Sequence, residues 1–316
     1  MGRDDDAAAP ADCLTLVMPL KARADMTRHD FYEYWLNAHV TLPARFPGIS
    51  SIFLHCVSFD DGAGTNDQAT WPRLPGVSHR PPPEDEFEGV PEATFVTMEG
   101  LAEFQAASKV QMDDGINFLQ ELIAYASIAD NTATVSDHTE TPAPDGHDGF
   151  VRHLLFLRRR EGVTTEAFRR FVAETLAPGL AASPDVLKVR RHLFEEVETT
   201  LDHPGVRMSR PLNRQYQAGV EVVIADQASL DRFKTGKDWE QLAGQVTTHC
   251  EAVHAARVSR CITTKYQGTI TLAGVRGVAV ADVIRRFGAD SQLDDEVSAL
   301  FLNTPTHVLV ETAERH

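Results

Sequence analysis

The apolar positions near the start of the chain change from a strand pattern to a helix pattern. Residues 14–21 form an apolar run rich in β-forming residues, which predicts a strand. Thr27 followed by Asp30 resembles a capping box and predicts the start of a helix. One face of this helix carries side chains at helical spacing: Phe31, Tyr34, Trp35, Ala38, His39 and Leu42. Pro43 and the Pro47-Gly48 turn are expected to end the helix.

The later pattern predicts two halves with the same order of elements. The first half continues with strands at 49–57 and 93–98, a helix over 101–126 that breaks near Gly115, and a strand at 128–135. The second half predicts strands at 151–159, 186–197, 219–225 and 258–266, with helices over 165–180 and 227–253. Each half therefore has the order βαββαβ. This order predicts an α+β fold built from two tandem ferredoxin-like units.

An internal duplication explains this order. Residues 14–55 align without a gap with 151–192, and residues 92–104 align with 221–233. Identical pairs include Leu20/Leu157, Arg23/Arg160, Thr27/Thr164, Phe31/Phe168, Pro47/Pro184 and His55/His192. Apolar positions, helix start and proline all keep the same register, which is the signature of a repeated structural unit.

The segments between the predicted elements suggest the domain boundaries. Residues 60–91 lack periodicity and are either a mobile, solvated loop or an active-site lid inserted in the first unit. The predicted organisation is a disordered tail at 1–12, a first domain at 13–136, a linker at 137–149, a degenerate second domain at 150–266 and a C-terminal extension at 267–316. The extension predicts strands at 269–272 and 307–311 and helices at 278–287 and 293–302.

The charge of the chain argues against nucleic acid as a partner. Lys and Arg total 30 against 46 for Asp and Glu, so the formal net charge is −16. A surface of this charge repels phosphates and anionic lipid headgroups unless a local basic patch intervenes. The basic run at 158–160 is short and is followed at once by Glu161. Neither nucleic acid nor a membrane surface is expected to bind.

Other common sequence signals are lacking. No run approaches the roughly 20 apolar residues that cross a bilayer, and the acidic first residues do not resemble a signal peptide. The four cysteines (Cys13, Cys56, Cys250 and Cys261) form no closely spaced pair, which favours reduced thiols in a cytoplasmic protein. The sequence also has no nucleophile elbow, Walker loop or strand-associated dinucleotide-binding glycine motif.

The first helix resembles that of the EthD family of the dimeric α+β-barrel superfamily. The resemblance rests on the pattern F-x-x-Y-W-x-x-x-H over 31–39, preceded by a strand ending in Lys21 and followed by the Pro47-Gly48 turn. It covers roughly residues 12–135, with a degenerate copy over 150–266. The resemblance implies that the two units pair within one chain as a pseudo-dimeric α+β barrel. The superfamily includes cofactor-independent monooxygenases, cyclases, dehydratases, isomerases and haem peroxidases, so the fold does not select the reaction.

His39 is the leading catalytic candidate. An imidazole can take or give a proton near neutrality, and this one lies on the same stripe as Trp35. The alternative is a histidine that caps the helix end or packs in the core. Tyr34 is a candidate hydrogen-bond donor to a developing oxyanion, and Phe31 with Trp35 would form an apolar wall. The second copy keeps aromatic residues at two of these positions but replaces Trp35 and His39 by valine and leucine.

Other histidines and the cysteines are weaker candidates. His55 and His192 occupy the same strand position in each copy, which suggests a shared structural role, and His153 lies on the first strand of the second copy. All three are retained as candidate substrate contacts. Cys250 and His254 have helical spacing, but a zinc site would need further ligands. No metal, haem or other cofactor is predicted.

These features favour a cofactor-independent enzyme. The expected substrate is a small hydrophobic molecule, aromatic or polyketide-like, in secondary metabolism or aromatic catabolism. The reaction would proceed by general acid/base proton transfer, as in a lyase, dehydratase, isomerase or cyclase. One alternative is a cofactor-free, quinone-forming monooxygenase, and another is a non-catalytic protein that binds a hydrophobic metabolite. A homodimer of the two-domain chain is also possible.

Overall fold

Strands dominate the structure, a computed structural model that describes residues 14–59, 70–197 and 203–302. The first half contains β1 (Leu14–Val17), β2 (Leu20–Ala22), α1 (Arg28–Asn37), β3 (Ile49–Ser58), β4 (Gly89–Phe95), α2 (Met98–Ala107), α3 (Lys109–Gly115), β5 (Leu119–Leu122), β6 (Tyr125–Ile128) and β7 (Thr132–Asp137). Short 3-10 turns at His39–Thr41 and Pro43–Arg45 follow α1.

The second half is followed by a C-terminal segment. It contains β8 (Val151–Arg159), α4 (Thr165–Arg170), a π-helical stretch (Phe171–Leu176), α5 (Ala177–Ala181), β9 (Val186–Leu193), β10 (Ala218–Ile224), α6 (Gln227–Thr235), α7 (Lys237–His249) and β11 (Cys250–Tyr266). The C-terminal segment contains β12 (Thr269–Ile270), α8 (Leu272–Arg276), α9 (Val278–Phe287) and α10 (Asp295–Leu302).

All these strands belong to one antiparallel sheet. Its main order is β5-β2-β4-β3-β11-β8-β10-β9-β7, with β1 joined to β4 and β6, and β12 joined to β11. The two halves meet where β3 pairs with β11 and where β7 pairs with β9. The sheet curls back on itself, because Glu92 on β4 and Arg190 on β9, far apart in this order, form an ion pair of 2.8 Å. The predicted α+β class is confirmed.

Three large apolar clusters and a small one of Ala44, Ile270 and Val275 fill the part of the protein that the structure describes. One packs the helices of the second half on the sheet, and another packs α1, α8 and α9 on the sheet of the first half. The third combines residues of both halves, such as Tyr125 and Phe156, and lies inside the curled sheet. The sheet therefore has helices on its outer face and a shared interior on the other.

Two predicted helices are shorter than expected. Residues 119–126 were expected to continue a helix but form β5 and β6, which pair with β2 and β1. Residues 250–253 were also assigned to a helix, but they begin β11, so Cys250 and His254 lie on a strand and His254 is buried. In both places, apolar runs that fit either structure are decided by pairing with a neighbouring strand.

The insertion of the first half contacts the second half. Trp71, in the described part of this insertion, is buried against Phe233 and Trp239, with ring centroids 5.5 and 5.6 Å away. Ser78 also forms backbone hydrogen bonds with β11. Residues 60–69, the predicted tail at 1–12 and the predicted strand at 307–311 lie outside the described residues. Among the described helices, none is both long and apolar enough to cross a membrane.

Candidate functional site

The end of α1 places His39 at the sheet. The helix begins with the expected capping box between Thr27 and Asp30 and buries Phe31 and Trp35. It ends at Asn37, earlier than expected, and a 3-10 turn carries the chain on from His39. His39 remains on the buried side, with 6% of its surface exposed. The imidazole therefore lies under the helix end and beside the sheet of the first half.

A narrow apolar cavity separates this helix end from the sheet. The cavity has a volume of about 40 Å³, which is room for a few water molecules. Trp35, Leu54, Met112, Leu119 and Val206 contribute to its walls, and His39 is the titratable side chain among the described lining residues. The cavity thus presents one imidazole to otherwise mostly apolar surroundings.

Asp114 holds the His39 ring from behind. Its Oδ2 lies 2.7 Å from His39 Nδ1, and its Oδ1 accepts a hydrogen bond of 2.6 Å from the Tyr34 hydroxyl. Asn117 Nδ2 also donates to Oδ1, at 3.2 Å. The hydrogen bond from His39, helped by that from Tyr34, lowers the pKa of the Asp114 carboxyl. An ionised carboxylate only accepts hydrogen bonds, so Nδ1 carries a proton, and in the neutral form of the ring Nε2 is the basic nitrogen.

Tyr34 and Phe31 lie behind the cavity wall. The hydrogen bond to Asp114 raises the pKa of Tyr34 and fixes its hydroxyl on that carboxylate. Tyr34 therefore orients Asp114, and the expected donation to a substrate oxyanion does not match this geometry. Phe31 is fully buried, with its ring centroid 5.5 Å from that of Trp35. Of the two predicted wall residues, Trp35 lines the cavity and Phe31 supports it.

Asp114 was missed from the sequence. The Asp113-Asp114-Gly115 segment was interpreted as a helix break, and α3 does end at Gly115. An acid in the last turn of a helix faces the negative end of the helix dipole. That unfavourable placement is a signal that the carboxylate has a partner elsewhere, here His39.

The other candidate histidines lie away from His39. Successive residues of a strand point to opposite sheet faces, so Leu54 faces the cavity and His55 faces the interior of the curled sheet. His192 is also in this interior, with its Nε2 3.6 Å from Glu92. His153 lines a different cavity, together with Trp71. The structure therefore does not bring these three histidines together with His39.

Buried histidines of the interior are held neutral. Burial lowers the pKa of His55 to about 4 and that of His192 to about 4, against the weaker opposing effect of nearby carboxylates. Glu221 has a lowered pKa because Lys188 and Arg152 outweigh its burial. The interior is thus a network of ion pairs around uncharged imidazoles.

Comparison with solved structures shows the fold. A candidate monooxygenase from Fusobacterium nucleatum subsp. nucleatum superposes with a TM-score of 0.51 at 9% identity, over 82% of this chain and 97% of the other. An anthrone oxidase-like protein gives a TM-score of 0.49 at 9% identity, over 81% and 95%. A candidate monooxygenase from Lactobacillus acidophilus gives 0.44 at 12%, over 80% and 97%. The superposition on the Fusobacterium protein shows that this chain shares its fold. No protein-family model and no curated protein matches the sequence, so the EthD resemblance stays a prediction.

Proposed function

We propose that the chain is an enzyme that removes a proton from a small apolar substrate in the cavity beside α1, without a cofactor. The observation that carries the proposal is the His39–Asp114 pair, whose imidazole lines an otherwise mostly apolar cavity. A substrate of this kind would be an enolisable aromatic ketone or a phenol, in keeping with the predicted aromatic or polyketide-like metabolite.

The geometry supports a complete proton-transfer cycle. His39 Nε2 accepts a proton from the substrate, and the resulting imidazolium is stabilised by the Asp114 carboxylate on Nδ1. Tyr34 and Asn117 keep that carboxylate in place. The apolar walls exclude water and strengthen the charge interaction. Return of the proton to another atom of the substrate gives isomerisation, and its transfer to a leaving group gives elimination.

A substrate larger than a few waters requires the cover of the cavity to move. This cover is α2 and α3, which bury little: Gly100 is the buried residue of α2 and Gly115 that of α3. Phe104 and Met112, which line the cavity from this side, are half-buried. A segment with few buried apolar contacts opens at low free-energy cost. Outward movement of α2 and the start of α3 is therefore the expected route of entry, while the end of α3 keeps Asp114 on His39.

The proposal includes the EthD-like origin and the tandem duplication. Support comes from the matching order of strands and helices in the two halves and from Phe31 and Phe168, which are buried at equivalent positions. A homodimer of the chain and a cytoplasmic location belong to the same proposal.

Proton abstraction can be tested before the natural substrate is known. The probe is 2-tetralone, an apolar and readily enolised ketone, and the readout is deuterium incorporation from heavy water followed by NMR. We expect wild-type protein to accelerate the exchange and His39→Gln to reduce the acceleration by roughly 100-fold or more. His29→Gln is the matched control, because His29 is an exposed histidine in the first turn of the same helix. Equal exchange by wild type and His39→Gln would contradict the role of His39.

The same experiment separates the two alternatives. A cofactor-free monooxygenase begins with the same proton abstraction but then consumes oxygen, so product formation stops under anaerobic conditions while deuterium exchange continues. A binding protein retains 2-tetralone without accelerating exchange, and His39→Gln changes affinity alone.

A further inference from the structure

Each half of the protein contributes a buried histidine and a buried glutamate to the interior of the curled sheet. His55 on β3 and His192 on β9 are equivalent, as are Glu92 on β4 and Glu221 on β10. Each histidine approaches the glutamate of the other half: His192 Nε2 is 3.6 Å from Glu92 Oε2, and His55 lies beside Glu221. The interior thus holds two related clusters on the sheet face opposite the His39 cavity.

The third member of the two clusters differs. Cys261 on β11 is directly opposite His55, whereas Thr132 on β7 is directly opposite His192. The Thr132 hydroxyl lies 3.0 Å from His192 Nδ1 and satisfies that nitrogen. Among the described residues His55 has no such partner: neither ring nitrogen is hydrogen-bonded to any of them, although only 2% of the residue is exposed. Burying polar nitrogens without protein partners is costly, so both ring nitrogens of His55 are available to a ligand.

The unpartnered ring and its neighbours line a cavity. His55, Glu221 and Cys261 all border a space of about 230 Å³ inside the curled sheet. One donor atom of each, an imidazole nitrogen, a carboxylate oxygen and the thiol sulfur, lies within 4.8 Å of the other two. A tetrahedral ion with bonds of about 2.0–2.3 Å needs donors somewhat closer than this. Metal binding therefore requires side-chain rotations that bring the three donors closer together.

We propose that His55, Glu221 and Cys261 bind a divalent transition-metal ion of the zinc class. Mixed nitrogen, oxygen and sulfur donors favour such an ion over Mg²⁺ or Ca²⁺, which prefer oxygen alone. Three protein ligands leave a fourth position for water or a small anion from the cavity. This site was not expected from the sequence, because its three ligands come from strands β3, β10 and β11, far apart in the chain.

The surrounding charges are compatible with a cation. Glu221 contacts Arg152 and lies 3.4 Å from Lys188 Nζ, but a carboxylate keeps further lone pairs for a metal. The ion pairs of this network join four carboxylates to three cations: Glu92, Asp137, Asp148 and Glu221 with Arg152, Lys188 and Arg190. One negative charge is therefore in excess. A divalent ion held by a Cys261 thiolate makes the described network neutral.

Cobalt provides a direct test on the full-length chain. Co²⁺ bound by a cysteine thiolate gives a sulfur-to-metal charge-transfer band in the near ultraviolet, and we expect wild-type protein to show it on titration with Co²⁺. Cys261→Ala is expected to abolish the band, and His55→Phe to weaken Co²⁺ binding by at least ~10-fold. Zn²⁺ is expected to displace the Co²⁺ and to raise the thermal midpoint of wild type but not of Cys261→Ala. None of these readouts depends on enzymatic activity or on His39.

Matched variants keep the test decisive. Cys56→Ala removes a buried thiol that neighbours His55 but faces the other side of β3, and the band should persist. A Cys13→Ala/Cys56→Ala/Cys250→Ala variant leaves Cys261 as the single thiol and should also retain the band, even if Cys261→Ala does not fold. The absence of a thiolate band in wild type overturns the proposal. So does its loss from the folded triple variant, or its persistence in folded Cys261→Ala.

Discussion

The two halves of the protein use the same helix position in opposite ways. In the first half, α1 places Trp35 and His39 at a cavity, and the covering helices α2 and α3 bury little but glycines. In the second half, the equivalent positions are Val172 and Leu176, both buried in a continuous apolar cluster. There α6 and α7 contribute Leu230, Phe233, Trp239, Leu242 and Val246 to the same cluster.

This difference shows that the first half, and not the second, keeps a cavity and a polar pair beside this helix. Filling an internal space with apolar side chains stabilises a protein, and beneath its helices the second half does this with Val172 and Leu176. The first half keeps the space and places the His39–Asp114 pair at its edge. Features that cost stability are commonly kept where function needs them. The first half is therefore the proposed active unit and the second its support.

The largest effect is expected at Asp114, whose role distinguishes the first half. Asp114→Asn keeps the shape of the side chain but removes the charge that fixes Nδ1–H of His39. We expect deuterium exchange of 2-tetralone to fall roughly 100- to 10⁴-fold. Asp113→Asn is the control, because Asp113 is the adjacent, exposed aspartate that pairs with Lys109. Similar losses of exchange activity in Asp114→Asn and Asp113→Asn would contradict a specific role of Asp114.

A stability comparison tests how tightly α2 in the first half and α6 in the second half pack on the sheet. Phe233 in α6 and Phe104 in α2 occupy aligned positions, but Phe233 is fully buried and Phe104 is half-buried beside the cavity. Phe233→Ala is expected to lower the unfolding free energy by about 3–5 kcal/mol. For Phe104→Ala we expect about 1–2 kcal/mol. Denaturant unfolding measures both losses of unfolding free energy. Equal losses would show that α2 is packed as tightly as α6.

The smallest effect is the pH dependence of the His39–Asp114 pair. The folded pKa of Asp114 is lowered, so the pair stabilises the fold above the unfolded value of about 3.9, and this contribution is lost as pH falls through the folded pKa. The stability difference between wild type and Asp114→Asn, below about 1 kcal/mol for a partly exposed pair, should shrink on acidification from about pH 5 to about pH 3. A difference that grows on acidification would contradict the assigned protonation state.

The fold was largely predictable because its signals are local. The capping box at Thr27 and the stripe that includes Phe31 and Trp35 both follow from sequence spacing. The segment at 119–126 was not predictable in this way. Its leucines and alanines fit a helix, and pairing with β1 and β2 overrides that preference.

The site was predictable only in part. His39 and Trp35 were found because they share one helix face. Asp114 comes from a distant helix, and no local pattern relates it to His39. His55 is separate from His39 because Leu54 and His55 point to opposite faces of β3. Sequence spacing predicts that they point apart, but not which face carries the His39 cavity.

The most direct test of the account is nitrogen NMR of the His39 imidazole in isotopically labelled protein at mildly alkaline pH, with His39→Gln used to assign the signals. The account predicts a neutral ring with its proton on Nδ1, facing Asp114, and a bare Nε2 that shifts when 2-tetralone is added. A proton on Nε2, or an Nε2 signal that does not respond to 2-tetralone, would contradict a general base directed into the cavity.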